Sequence, residues 1–297
     1  MSEHPTASMD DATTTGDEFT PREFDATIYR ASYVRRNPLA TIGFVILIGY
    51  VLLAIVGPAF VQSPIDTQPS AALRAPSSAH LFGTDTFGRD VFSRAIHSAR
   101  LDLSIGIVIA LAAMAIGSIL GVVSGYWGGW VDEVIMRITD VVLAFPGFVL
   151  ALILVAVIGN SVPNVVVAVT VAYIPYFIRL TRAEVLTQRE LEYVDGARLA
   201  GNPPWRIAIR HVLPNSLTPA FVQATLVAGW SILTVAGLAF LGVGIRPPTA
   251  EWGVMVAEGA SDIITGQWWT ALFPGGMIVL AVMAFHFIGD EFGGDSL

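Results

Sequence analysis

Five stretches of this sequence contain no aspartate, glutamate, lysine or arginine: Leu39–Val61, Leu103–Tyr126, Val141–Ile178, Leu213–Ile245 and Thr270–Ile288. A helix needs about 20 mostly apolar residues to cross a bilayer, and hydrocarbon forces the backbone to satisfy its own hydrogen bonds. Each stretch is therefore read as membrane-spanning helix. The third is too long for one span, and GNSVPN at Gly159–Asn164 marks a tight turn within it. Two helices in a hairpin follow, giving an all-α polytopic protein of six spans. Trp268 and Trp269 suit the headgroup belt in front of the last one. The composition agrees, with only 13% charged residues and mean hydropathy +0.65, where soluble chains carry about a quarter charged.

These spans divide the chain. Residues 1–37 are polar and acidic, read as a disordered tail and not as a signal peptide. The first span covers 38–62, an external loop 63–100, the remaining five spans 101–290, and a short tail 291–297. Within the external loop, VFSRAIHSAR puts Val91, Phe92, Ala95, Ile96 and Ala99 on one face, predicting a short amphipathic helix on the outer surface. Its neighbour FGTDTFGRD holds Asp85 and Asp90, carboxylates serving either a structural turn or a cation.

Cysteine is absent, which removes disulfides, zinc thiolates and Fe–S ligation. All sixteen basic residues are arginine, so a phosphate-binding P-loop and lysine-dependent catalysis are excluded too. A lysine-free chain of net charge −8 suits a salt-loving prokaryote. Arginine bias sets orientation. Arg22, Arg30, Arg35, Arg36, Arg137 and six arginines between residues 179 and 214 fall on one side. Arg74, Arg89, Arg94, Arg100 and Arg246 fall on the other. The first side, with both termini, is expected to be cytoplasmic. There GGWVDEVIMRITDVV reads as an amphipathic helix leading into the third span, with Arg137 and Asp140 close enough to pair.

The segment Arg179–Pro214 is the most informative cytoplasmic loop. Gln188–Ala200 reads as helix, Gly201 as its C-terminal stop, and Asn202-Pro203-Pro204 as a break before a second helix begun by Pro204. Pro214 interrupts that helix at the membrane. A helical hairpin bearing arginines and Trp205 suits docking into a partner's groove, since Arg and Trp are enriched in interface hot spots. A DNA-binding role is disfavoured by the two membrane tethers and the four acids, and no nucleic-acid partner is expected.

At this point the residues resemble a family. The string DGARLAG, followed at fixed distance by LP, looks like the EAA loop of binding-protein-dependent ABC importer permeases. Asp195, Gly196 and Ala197 take the EAA positions, Gly201 the glycine, and Leu213-Pro214 the LP. His211 replaces the usual isoleucine. RRNPLATIGFVIL, FGTDTFGRDVFSR, SGYWGGWVDEVIMRITDVVLAFPG, RHVLPN, FLGVGIRPPTAEWG and LFPG extend the likeness to the second permease subunit of dipeptide, oligopeptide and nickel importers. The C-terminal GDEFGGDSL departs from the family's GDGLRD-like continuation.

The resemblance implies a type I importer permease in the plasma membrane, pairing with a second permease. Two ATPase subunits, holding ATP and Mg, would dock below it, and an external solute-binding protein would deliver substrate. The chain itself would bind no cofactor or metal and catalyse nothing. Asp195, Gly196, Ala197, Gly201, Trp205, Ile209, Leu213 and Pro214 would carry ATPase coupling, with Asp195 meeting a basic residue and Trp205 and Ile209 packing in the ATPase groove. Peptides are the expected cargo, with nickel or oligosaccharides as alternatives.

Tyr173, Trp230, Ser231 and Thr234 are pathway candidates, or simply interhelical hydrogen-bonding groups. A secondary transporter would place ionisable groups at mid-membrane. Here only His286 qualifies, expected near a helix end. A membrane hydrolase lacks a nucleophile–base pair, as the histidines are scattered, and no filter motif favours a channel.

Overall fold

The computed structural model describes residues 38–294. The acidic segment, with Arg22, Arg30, Arg35 and Arg36, lies outside them. Among the described residues the regular elements are helical, apart from one isolated bridge between Thr84 and Asp90. The helices are α1 (Pro38–Val56), α2 (Val91–Trp127), α3 (Gly129–Leu143), α4 (Gly147–Ile158), α5 (Val162–Gln188), α6 (Glu192–Leu199), α7 (Pro204–Ile207), α8 (Leu213–Asn215), α9 (Thr218–Phe240), α10 (Trp252–Ile264) and α11 (Trp269–Gly294). Five of them, α1, α2, α5, α9 and α11, are long and apolar enough to span a membrane. The third span predicted from the sequence falls instead on a bent pair, α3 and α4, meeting at 88°. At about 1.5 Å per residue, α4 alone reaches only about 18 Å of a hydrocarbon core about 30 Å thick.

Several boundaries differ from the sequence expectation. The outer amphipathic helix and the second span are one helix, α2. Asp90 caps it by accepting the Ser93 N–H at 2.7 Å, and no proline interrupts the chain from there to Trp127. The segment does not lie on the surface: Val91, Ala95, Ile96 and Ala99 are buried, and so are Ser93, Arg94 and Ser98 on its polar side. The helix of the fourth span runs on to Gln188, so Arg179 and Arg182 belong to α5 and the hairpin proper begins later. The fifth span stops at Phe240, where Gly242 and Gly244 adopt positive φ. The last helix continues through His286 to Gly294, placing that histidine well inside α11. The GNSVPN turn forms as expected: Ser161 caps α5, and Asn164 Nδ2 donates to the carbonyls of Ile158 and Gly159. Helix α10 was not foreseen, being too short and too acidic to register as a span.

The most extensive helix contact among the described residues is α2 against α5. Gly117, Gly121 and Gly125 recur every fourth residue along α2, on the face turned to α5. A Cβ at Gly117 would stand 2.5 Å from that of Phe177, and one at Gly121 2.8 Å from that of Thr181; at Gly125 it would stand 2.9 Å from Val185 Cγ1. Membrane helices associate through such small-residue seams because lipid supplies no hydrophobic drive between them. Thr181 Oγ1 donates to Ser118 Oγ at 3.1 Å across the same seam. Elsewhere Gly106 admits Ile232 of α9, and Gly43 of α1 meets the Ala284 carbonyl of α11. The outer face of α1, with Leu39, Ile42, Val45, Ile48 and Leu52, is exposed, as suits a lipid-facing helix.

At the end of the bundle holding the N-terminus of α2, the 62–90 loop is fixed by charge. Asp85 Oδ2 accepts from Arg89 Nε at 2.6 Å and Arg94 Nη1 at 2.8 Å. Glu258 Oε2 of α10 lies 2.9 Å from Arg89 Nη2 and 2.9 Å from Arg94 Nη2. Asp90 bonds His80 at 2.8 Å besides capping α2. The two aspartates therefore serve the structural turn. Among the described residues no group of three or more His, Cys, Asp or Glu is placed to hold a metal.

Two outcomes are expected. Gly121→Leu should lower thermal stability in detergent by roughly 1–3 kcal/mol through overpacking. Gly49→Leu, where nothing lies within 4 Å, should not. Glu258→Gln should cost roughly 3–5 kcal/mol, since it leaves two buried arginines sharing the single carboxylate of Asp85; denaturation midpoints check both.

Candidate coupling surface and translocation cleft

The hairpin is built as a small folded unit. Helix α6 begins only at Glu192, with Glu192 and Asp195 in its first turn and Arg198 in its last, as the helix dipole favours. It starts later than the predicted Gln188 because residues 189–191 form a turn after α5. Gly201, at φ +78°, ends it. The Asn202 N–H donates to the Ala197 carbonyl at 3.2 Å and the Gly201 N–H to that of Arg198 at 3.0 Å. This 6→1 and 5→2 pairing is the Schellman closure. Pro204 opens α7. Pro214 does not break the chain's path as predicted. Residues Ala208–Val212 form a π turn instead, and α8 carries the proline. A wider turn just ahead of Pro214 accommodates a residue that has no N–H to give.

Val194, Ile207, Ala208 and Val212 form a buried cluster with Val122 of α2 and Val185 of α5, and Ala197 and Leu213 pack partly against it. The last two thus hold the hairpin together from within. The outer face carries Leu199, Trp205 and Ile209, at 90%, 55% and 56% exposure, with Asp195, Gly196, Gly201 and Pro214 exposed beside them. Trp205, Arg206, Ile209, Arg210 and Pro214 line an open groove of about 690 Å³.

Four of the hairpin region's arginines are engaged within the chain. Arg182 grips Asp132 of α3 with two bonds of 2.6 Å, and Arg179 bonds Asp140 at 2.6 Å. Asp140 therefore pairs across to α5, not with Arg137 on its own helix as predicted. Arg189 donates to the Gly125 carbonyl at 2.8 Å, and Arg198 to Asp195 at 2.8 Å. The guanidinium of Arg206 stacks over Trp205 at 5.5 Å.

A second concavity, a cleft of about 620 Å³, opens along α4, α5 and α9. Tyr173, Tyr176, Gln223, Trp230, Thr234 and Phe148 line it, and Tyr173 bonds Thr234 Oγ1 at 3.0 Å. Three of the four pathway candidates therefore meet in one place. Ser231 does not, being fully buried on another face of α9. Tyr176 and Gln223 were missed. Tyr176 stands nearly one helical turn beyond Tyr173, a spacing that could have found it.

The family of binding-protein-dependent transport system inner membrane components matches residues 117–291. The N-terminal transmembrane domain of oligopeptide transport permease C matches residues 32–76. The chain is 43% identical over 258 residues to a dipeptide transport system permease protein of Alkalihalophilus pseudofirmus, covering 86% of this chain and 84% of that one. It is 46% identical over 215 residues to a glutathione transport system permease protein of Pectobacterium atrosepticum, covering 72% and 71%. With a probable D,D-dipeptide transport system permease protein of Escherichia coli it shares 40% identity over 258 residues, 86% of each. This bundle of spanning helices belongs to the binding-protein-dependent transport system inner membrane components. Within that class it is a permease of the ABC importer type.

Gly201→Val should strain the left-handed turn by about 1–2 kcal/mol and speed tryptic cleavage of the hairpin. Gly196→Ala, which enters open space, should leave the digestion rate unchanged.

Proposed function

We propose that this chain forms one half of the translocation pathway of an ATP-driven importer for di- and oligopeptides. A second permease completes the cleft, two ATPase subunits holding ATP and Mg engage the hairpin, and an external binding protein delivers the cargo. The observation that carries the coupling role is the hairpin's outward apolar face. Leu199, Trp205 and Ile209 stay exposed although a buried cluster lies directly beneath them. Exposed aromatic and apolar groups on a rigid hairpin are what a partner's groove requires. Asp195 meets a basic group of the ATPase by exchanging its exposed contact with Arg198, a low-cost exchange because such surface pairs contribute little. No cofactor is assigned to this chain.

Peptide cargo is supported by the substrates in the relatives' names and by the lining of the cleft. That lining offers hydroxyl and amide groups amid aromatic rings, with no Asp, Glu, Lys, Arg or His among the residues that form it. It can meet peptide amides without sorting side chains by charge, which leaves selection to the binding protein. The eleven-to-five arginine bias orients the hairpin and both termini to the cytoplasm. The chain has no cysteine, so a single Asn202→Cys variant should react with an impermeant thiol reagent only in inverted vesicles.

The direct test is reconstitution with the partner subunits and ATP-dependent uptake of a labelled dipeptide. Trp205→Ala/Ile209→Ala should reduce uptake and the co-purification of ATPase subunits at least tenfold, about 1.4 kcal/mol or more of coupling, with little change in the chain's own melting. Unaltered uptake would remove the docking role. Uptake driven by a proton gradient without ATPase subunits would favour a secondary transporter instead.

A further inference from the structure

Helix α10 is held at its other end by a second pair of buried acids, separate from the cleft and the hairpin. Asp102 of α2 is 3% exposed and Glu251, the residue before α10, is 1% exposed. Both address the first turn of α10. Asp102 Oδ2 accepts the Trp252 N–H at 3.0 Å, and Glu251 Oε2 accepts the Val254 N–H at 2.7 Å. Asp102 Oδ1 is buried and has no hydrogen-bond partner.

The surrounding charges are accounted for. Arg89 and Arg94 are bound to Asp85 and Glu258. On α1, Tyr50 donates to the Met277 carbonyl, its ring against Trp252. On α2, His97 bonds the Ser93 carbonyl, and Arg100 is exposed. Arg246 in the preceding loop is exposed. Helix α9 carries no ionisable side chain. On α11, His286 bonds the Val282 carbonyl. Farther along α10, Asp262 and Glu258 add only negative charge. Among the described residues no arginine forms an ion pair with either carboxyl.

Two neighbouring carboxylates without a cation cannot both stay ionised in a site of this burial. A helix N-terminus supplies roughly half a positive charge, enough to steady one of them. We infer that Asp102 and Glu251 bind a single proton between them, and that this shared proton seats the N-terminus of α10 on α2. The proton supplies the donor that Asp102 Oδ1 lacks. The one remaining negative charge rests on the Trp252 and Val254 N–H groups. A metal ion fits poorly, because one oxygen of each carboxyl already accepts an N–H, and among the described residues no group of three or more His, Cys, Asp or Glu is placed to hold one. The seat matters for packing: Gly253 presses on the Ala236 backbone of α9 and Gly259 on the Thr270 backbone of α11. Trp252, fully buried, donates through Nε1 to the Ala95 carbonyl of α2 at 2.9 Å.

Burial pushes the Glu251 carboxyl above its ordinary value, so the folded protein binds this proton more tightly than the unfolded chain. The stability it contributes is whole below the ordinary carboxylate range and is lost as pH rises through the pair's own folded value. Infrared spectroscopy of the purified full-length chain in lipid should show a protonated-carboxyl C=O band at about pH 7. That band should weaken in Glu251→Gln and vanish in Asp102→Asn/Glu251→Gln. The wild-type melting temperature should fall more steeply than the double variant's between about pH 5 and about pH 9. A wild-type spectrum without the band, or a band of equal intensity in Glu251→Gln, overturns the inference, and so do equal melting slopes. Glu251→Gln keeps an acceptor for the Val254 N–H, so it serves if the double variant does not fold.

Discussion

The rest of the bundle depends on how closely α2 and α5 approach. Three glycines spaced by four residues bring the two backbones so near that any side chain would collide with Phe177, Thr181 or Val185. In lipid, that contact cannot be replaced by burying more apolar surface, because the solvent is equally apolar. The approach also sets the distance at which Arg182 reaches Asp132 and Arg189 reaches the Gly125 carbonyl. It brings Val122 and Val185 together as the floor on which the hairpin rests. The hairpin is thus an outgrowth of a glycine seam.

The two ends of the bundle solve different problems. At the hairpin end, charges are largely exposed or half-buried and pair singly, so they position elements without dominating stability. At the opposite end, Asp85, Arg89, Arg94 and Glu258 are withdrawn from water, along with Asp102 and Glu251. There each charge must be matched, and removing one partner exposes the full desolvation cost. Loop 62–90 is fastened by that matching, and α10 by that matching together with the buried side chains of Trp252, Val254 and Met255.

The sequence made the spans legible because a run without charges has few interpretations, and Gly201, Pro204 and the GNSVPN turn announced themselves through backbone chemistry. What it hid was three-dimensional partnership. Asp140 has Arg137 beside it in sequence yet bonds Arg179. Arg94 reads as a surface arginine on an amphipathic segment, and only α10 and loop 62–90, folding over it, make it internal. Ser231 sits three residues from Thr234 and faces elsewhere, while Gln223, eleven residues away, lines the same cleft. Pro214 read as a break because a single-residue rule carries no knowledge of the π turn ahead of it.

Helix α2 has one further consequence. Its 37 residues run unbroken from the Asp90 cap to Gly128, about 55 Å at 1.5 Å per residue. One end carries Arg94 and the ion cluster, and the other carries Ser124 bonded to Asp132, beneath the hairpin. A rod of that length tilted by about 5° displaces one end by about 5 Å relative to the other. The helix is thus one continuous strut between the hairpin and the ion cluster, and any tilt about the glycine seam would move its two ends in opposite directions.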